Sequence, residues 1–125
     1  YENLLEDIKN ELQECVDSAL VAGVLKENII IDPGIGFGKT VEQNLELVRR
    51  LEELKSLGYP ILAGPSRKSF VGYTLDLPPE QRLEGTLAAT TLCIDKGANI
   101  VRVHDVKEAD RVRRFTDAVV RAKAH

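Results

Sequence analysis

Three short segments gather the side chains that could do chemistry: Asp32 with the glycine-rich run 33–40, then Ser66-Arg67-Lys68-Ser69, then Arg102 and His104. Asp32 offers a carboxylate to the N–H groups of a bound heterocycle; standing before a proline, it is equally suited to shaping a turn. Ser66-Arg67-Lys68-Ser69 sets two cations and two hydroxyls in four residues, a cluster suited to an anionic or carbonyl-bearing ligand. A solvated basic turn is the bland alternative, and Phe70-Val71-Gly72 directly after it ties the segment to a core. Arg102 and His104 alternate with Val101 and Val103, so in a strand they share the face opposite the valines. A guanidinium cannot shed its charge, so Arg102 needs an anion. Asp32 is one candidate. A substrate phosphate, with His104 as a second donor, is the other, and it is favoured because Arg102, His104 and Lys68 exceed what one aspartate requires.

The run Pro33-Gly34-Ile35-Gly36-Phe37-Gly38-Lys39-Thr40 tempts a phosphate-loop reading and fails it. GxxxxGK[ST] needs glycine where Pro33 stands, and GxGxxG needs glycine where Lys39 stands. The glycines still allow close approach of backbone to a ligand, or positive φ. Phe37, between two of them, reads as an exposed lid for a flat ligand, with a core-tucked phenylalanine as the alternative. Cys15 and Cys93 are far apart, without CxxC or a neighbouring His, so no zinc or redox motif is signalled and no metal-ligand set is assigned. Each reads as a small apolar helix residue.

These side chains need elements to hold them. Steps of three and four at Leu4, Ile8, Leu12, Cys15/Val16 and Ala19 predict a helix over 3–24, with Gly23 near its end. The β-branched run 28–32 predicts a buried strand in which Asp32 shares a face with Ile30, while Ile29 and Ile31 face the other way. Thr40-x-x-Gln43 fits a capping box opening a helix that carries Leu45, Val48, Leu51 and Leu54 and closes at Gly58. Residues 60–64 read as a second strand and 65–79 as a long polar loop with room for a short helical turn. Pro79-Glu80 opens a third helix through Leu87 and Leu92 to Gly97. Residues 99–103 form the third strand. Asp105-x-x-Glu108 caps a last helix bearing Ala109, Val112, Phe115, Val119 and Ala122.

The order α-β-α-β-α-β-α implies an α/β fold with parallel strands and right-handed crossovers. A small open sheet fits it, and so does part of a (β/α)8 barrel, of which this chain is about half, since a whole one takes about 250 residues. In both architectures ligands bind at the carboxyl ends of the strands. Asp32, the 66–69 cluster, and Arg102 with His104 all fall there.

Composition narrows the function classes. The 125 residues carry 17 Lys+Arg against 20 Asp+Glu, net −3, which argues against nucleic acid as a partner. No run approaches the ~18 apolar residues of a membrane span. The chain opens Tyr1-Glu2-Asn3 without a signal-peptide pattern. The cysteine usage suits a reducing cytoplasm. The sequence contains no Met, which predicts a processed chain or a piece of a longer one. One partial domain over 1–125 is expected.

Asp32-Pro-Gly-Ile-Gly-Phe-Gly-Lys-Thr40, Gly64-Pro-Ser-Arg-Lys-Ser-Phe70 and Arg102-Val-His-Asp-Val106, in this order and spacing, closely resemble the carboxyl-terminal half of the dihydropteroate synthase family. The resemblance covers essentially the whole chain. It implies the last three strands of a (β/α)8 TIM barrel and transfer of a pterin-methyl group from its pyrophosphate ester to p-aminobenzoate, in folate synthesis. It implies that Asp32, Gly64, Lys68 and Arg102 bind the pterin and that Arg102 and His104 hold pyrophosphate. Lys68, Arg102 and His104 then form the catalytic set. Phe37 and Ser69 lie near p-aminobenzoate, where sulfonamides compete. It further implies Mg2+ accompanying pyrophosphate, its main protein ligand in the amino-terminal half, and a homodimer in the cytoplasm. The early strand-end loops of the family are not in this sequence, so little or no synthase activity is expected of the chain alone. A pterin-binding methyltransferase domain and a noncatalytic half-barrel module are the competing readings. The Ser-Arg-Lys-Ser-Phe and Arg-Val-His segments speak against the first, because methyl transfer needs no pyrophosphate clamp.

Overall fold

The computed structural model describes residues 2–121. Helix α1 (Leu4–Val21) is capped by Asn3, whose side chain accepts the Glu6 N–H, and buries Leu4, Leu5, Ile8 and Val16. Of the two positions that shared one step of the sequence pattern, Val16 faces inward and Cys15 is exposed. After a 3-10 turn at Lys26–Asn28, the chain alternates as expected: Ile29 and Ile31 are buried while Ile30 and Asp32 face outward.

The sheet is parallel but much shorter than its apolar runs. Strand β1 (Leu62–Ala63) pairs with β2 (Ile100–Val101) in the register Leu62 with Ile100 and Ala63 with Val101. The run 28–32 contributes a single bridge, Ile31 to Ile61. Ile31 donates its N–H to the Pro60 carbonyl and accepts that of Leu62. In a parallel ladder the next bonds on either side would need N–H groups from Pro60 and Pro33, and proline has none. Pro65 likewise removes the donor that would follow Ala63 on β1. Prolines therefore trim all three expected strands without changing their order or direction.

Helix α2 (Val41–Arg49) starts on the expected capping box, Thr40 with Gln43, both halves formed. It passes at Arg50 into a 3-10 turn, Leu51–Leu57, that Gly58 ends at φ 84. The Arg50 guanidinium reaches Glu46 and Glu53 across that joint. The buried face is Leu47, Val48, Leu51 and Leu54; Leu45, expected on it, points out. The segment 65–79 contains more structure than a polar loop with one turn. Helix α3 (Ser69–Leu75) occupies half of it, sinks Phe70 and Val71 into the core, and stops at Asp76 in the left-handed region.

Pro79 opens only a 3-10 turn, Pro79–Gln81; helix α4 (Leu83–Asp95) begins separately after Arg82. Its buried side is Thr86, Ala89, Thr90, Cys93 and Ile94, so Leu92 is exposed and Leu87 half-buried. Helix α5 (Val106–Val120) lies along α4. Small residues make the contact: Ala109 and Thr116 are its buried positions, Val112 is half-buried, and Phe115 and Val119 stay 74% and 64% exposed. The sequence pattern fits either stripe, and close helix approach selects the small one. Ala122 lies outside the described residues. Asp105 precedes α5 without capping it, because its carboxylate is committed to Arg67. No helix among the described residues is long and apolar enough to cross a membrane.

The core gathers between α1, the 3-10 turn after α2, and the sheet: Leu5, Ile8, Leu47, Leu51, Leu54, Ile61, Ala63 and Cys93 are almost fully enclosed. This places the carboxyl ends of the strands, and the loops leaving them, on one side.

Candidate active site

At that side a cavity of about 220 Å³ is lined by Asp32, Ile35, Phe37, Leu62, Gly64, Ser66, Lys68, Arg102 and His104. A larger cavity of about 400 Å³ lies between α2, α3 and α4, but its lining is nearly all apolar and none of the three polar segments reaches it. Convergent polar groups mark the smaller cavity as the one able to do chemistry.

Each wall has a local cause. Asp32 ends its strand and turns the chain: its Oδ1 accepts the Gly34 N–H at 2.8 Å. The turn-forming reading is thus realised, and the carboxylate still borders the cavity. Gly34, Gly36 and Gly38 all take left-handed φ, so the loop folds back on itself. Lys39 closes it from inside, its Nζ donating to the carbonyls of Gly34 at 2.8 Å and Phe37 at 2.9 Å. Burial lowers the Lys39 pKa, against the pull of Glu11 and Asp32. Asn44, buried on α2, anchors the same loop by accepting the Gly36 N–H at 2.7 Å and donating to the Thr40 carbonyl. Phe37 is 65% exposed, as a lid would be, and the Lys68 ammonium sits 4.0 Å from its ring centroid.

The loop after β1 is held more tightly. Arg67 takes φ 55, an uncommon conformation for a side-chain-bearing residue. Three contacts fix it: its N–H donates to Thr86 Oγ1 at 3.0 Å, its carbonyl accepts from Arg82, and its guanidinium binds both Asp105 oxygens, at 2.8 and 3.3 Å. That ion pair raises the Arg67 pKa and holds the Asp105 carboxyl below the usual carboxylate range, chiefly through the hydrogen bond. Arg67 therefore points away from the cavity while its neighbours Ser66 and Lys68 line it. Ser66 is buried; its Oγ lies 2.8 Å from His104 Nδ1 and accepts the His104 backbone N–H at 3.2 Å.

Arg102 and His104 come to the cavity from the end of β2, on the face opposite the valines as expected. The internal pair with Asp32 does not form, and Arg102 has no ion-pair or hydrogen-bond partner for its guanidinium among the described residues. A Cβ at Gly64 would stand 3.6 Å from Arg102 Cβ, an ordinary contact, so glycine there leaves room in the cavity and answers no backbone demand. Ser69 is the one expected residue outside the lining: it is exposed at the first turn of α3.

Sequence reasoning missed the loop-holding roles of Lys39, Asn44 and Arg67, although Arg67 stood in the basic cluster. An Asn among the core positions of an amphipathic helix was a readable signal for the second. For the other two, a basic residue in a loop looks the same whether it binds solvent or backbone. Among the described residues no group of three His, Cys, Asp or Glu side chains is placed to share a metal ion. One carboxylate and one imidazole beside two cations do not fit a magnesium ion held by this chain.

The profile of the family described as pterin binding enzyme matches residues 1–104. The chain belongs to that family. Among curated pterin binding relatives, it is 59% identical over 122 residues to the dihydropteroate synthase of Clostridium beijerinckii, covering 97% of this chain and 45% of that protein. The Bacillus subtilis dihydropteroate synthase is 52% identical, covering 96% of this chain and 42% of its own length. Of the solved structures, dihydropteroate synthase from Clostridium difficile, crystallised in the presence of pteroic acid, superposes with a TM-score of 0.93 at 53% identity, over 95% of this chain and 45% of that one. A Yersinia pestis dihydropteroate synthase in complex with a sulfonamide drug gives 0.95 at 40% identity, over 98% and 45%. The chain thus spans less than half the length of those relatives.

Proposed function

We propose that this chain forms the carboxyl-terminal part, one partial domain, of a (β/α)8 TIM barrel with dihydropteroate synthase activity. The reaction joins a pterin-methyl pyrophosphate to the amine of p-aminobenzoate and releases pyrophosphate. The observation that carries this reading is the cavity itself. Asp32, Lys68, Arg102 and His104 converge at the strand ends, and the guanidinium is left without a protein anion. Relatives named for this activity at up to 59% identity support it.

In the proposed reaction the carbon–oxygen bond to pyrophosphate breaks as the amine nitrogen attacks the pterin methylene. Negative charge grows on the leaving oxygen. In this reading Arg102 and His104 donate to it, and donors aimed at developing charge act most strongly in the transition state. Asp32 accepts ring N–H groups of the pterin, Lys68 donates to the same ring, and Gly64 leaves it room beside Arg102. Phe37 and Ser69 border the p-aminobenzoate, where a sulfonamide would compete. The attacking amine loses its proton to water once the new bond has formed. Any magnesium accompanying pyrophosphate would draw its protein ligands from outside this chain, and no step here is derived through it. A cytoplasmic homodimer completes the reading.

Arg102→Ala, in the enzyme that carries this chain, is expected to lower turnover by about a hundredfold or more, the usual consequence of removing a transition-state donor. It should also abolish pyrophosphate-dependent ligand binding, measured by calorimetry. Unchanged kinetics would remove Arg102 from the site.

A further inference from the structure

The geometry points to Ser66 as a positioning residue that sets the tautomer of His104, so that the ring meets its ligand only as an Nε2–H donor. A serine hydroxyl has one proton to give and lone pairs to accept with. One lone pair of the buried Ser66 Oγ already receives the His104 backbone N–H at 3.2 Å. The remaining contact is with Nδ1 of the same residue, at 2.8 Å.

Were the ring proton on Nδ1, Ser66 would accept twice. Its own proton would then have no acceptor among the described residues. Leaving a buried donor unmade costs its full desolvation. With the hydroxyl donating to Nδ1, Ser66 and Nδ1 are both satisfied and the single ring N–H stands on Nε2. That nitrogen has no protein partner among the described residues, and the ring lines the cavity with Arg102 and Lys68. The neighbouring Arg67–Asp105 ion pair holds the two loops together and keeps Ser66 within reach. Resting on the synthase reading above, the Nε2–H is a preset donor, beside Arg102, to the departing pyrophosphate.

The test is 15N NMR of the histidine rings in the enzyme carrying this chain, above the ordinary titration range of histidine. His104 is assigned with His104→Gln, and steady-state kinetics accompany the spectra. The expected spectrum shows an unprotonated Nδ1 and a protonated Nε2. Ser66→Ala should move His104 toward the Nδ1–H form and lower kcat about tenfold, with both KM values changed less than about twofold. Ser66→Thr, which keeps the hydroxyl, should restore the ring shifts and kcat. A ring proton on Nδ1 in the unsubstituted enzyme overturns the proposal, whether or not the variants fold. So does a Ser66→Ala enzyme that keeps the Nε2–H form, or an equal loss of kcat in Ser66→Ala and Ser66→Thr. No synthase turnover in an unsubstituted enzyme with the Nε2–H form would refute the synthase reading and uphold the tautomer.

Discussion

Gly36 sits at φ 88, with its N–H on Asn44 and no space beside it: a Cβ there would stand 2.8 Å from Lys68 Cδ. Both facts bear on one substitution. Gly36→Ala should destabilise the fold by about 1–2 kcal/mol through the left-handed backbone alone. It should also push Lys68 off the Phe37 ring. Thermal melting and pterin affinity measured together check this, and a variant with unchanged melting and binding would contradict it. At this scale the sequence was most readable where a residue type permits few roles. Arg102 and His104 had to share the face opposite Val101 and Val103, and they do. Asp32 was ambiguous because a carboxylate before proline both makes turns and binds ligands, and here its two oxygens allow both. Phe37 could be read as exposed only because glycines flank it. Arg67 was unreadable for the opposite reason: it looks like a ligand-binding cation and spends its charge on Asp105, leaving Ser66 and Lys68 to face the cavity.

The elements were legible in order and type, and less so in extent. Apolar periodicity finds helices and strands, but ladder length depends on which N–H groups exist, and Pro33, Pro60 and Pro65 remove them. That information was in the sequence and needed the register before it could be used. Helix α3 escaped because seven residues are too few for periodicity to show; Phe70 and Val71 are its only core anchors apart from Gly72. The face of α5 was misjudged because small residues make the closest helix contacts while Phe115 and Val119 turn outward. At the start of α5 the expected cap is replaced by the Arg67–Asp105 pair, and this has a pH signature. The Asp105 pKa is lowered on folding, so its stabilisation is full above the ordinary carboxylate range and fades as pH falls through the lowered value. Melting temperatures of the wild type and Asp105→Asn should differ at neutral pH and converge in acid, below about pH 4. Curves that stay parallel well below that pH would remove the ion pair from the stability of this joint.

Over the whole molecule, two features follow from a parallel sheet with open sides. The first is association. Among the described residues the bridge at Ile31 and strand β2 each have one paired neighbour, and Phe115 and Val119 lie bare on α5. Unpaired edges and apolar surface favour pairing with other chains. The 13.9 kDa chain studied alone should sediment as a larger species at micromolar concentration; a clean monomer would show that these surfaces are harmless. The second is uneven thiol reactivity. Burial pushes the Cys93 thiol up to about 12, while Cys15 is exposed on α1. A thiol reagent at neutral pH should label Cys15 in the folded chain and reach Cys93 only in denaturant, because the thiolate is the reacting form. Mass spectrometry of the labelled peptides decides it, and rapid labelling of Cys93 without denaturant would mean that the core opens readily.

The short sheet also hides a longer alignment. Asn99 accepts the Ile61 N–H, Ser66 meets His104, and Arg67 meets Asp105, each pair separated by 38 positions. The backbone pairs Leu62 with Ile100 and Ala63 with Val101 keep the same interval. Side chains therefore carry on, past both ends of the ladder, a register that prolines forbid the backbone to extend. The consequence concerns insertions and deletions. At the turn around Pro78 the chain has latitude, since a residue added there leaves both aligned stretches internally intact. Within 61–67 or 99–105 it has none, because one added residue would put Ser66 opposite the wrong partner and divide the cavity wall from the strand that supports it.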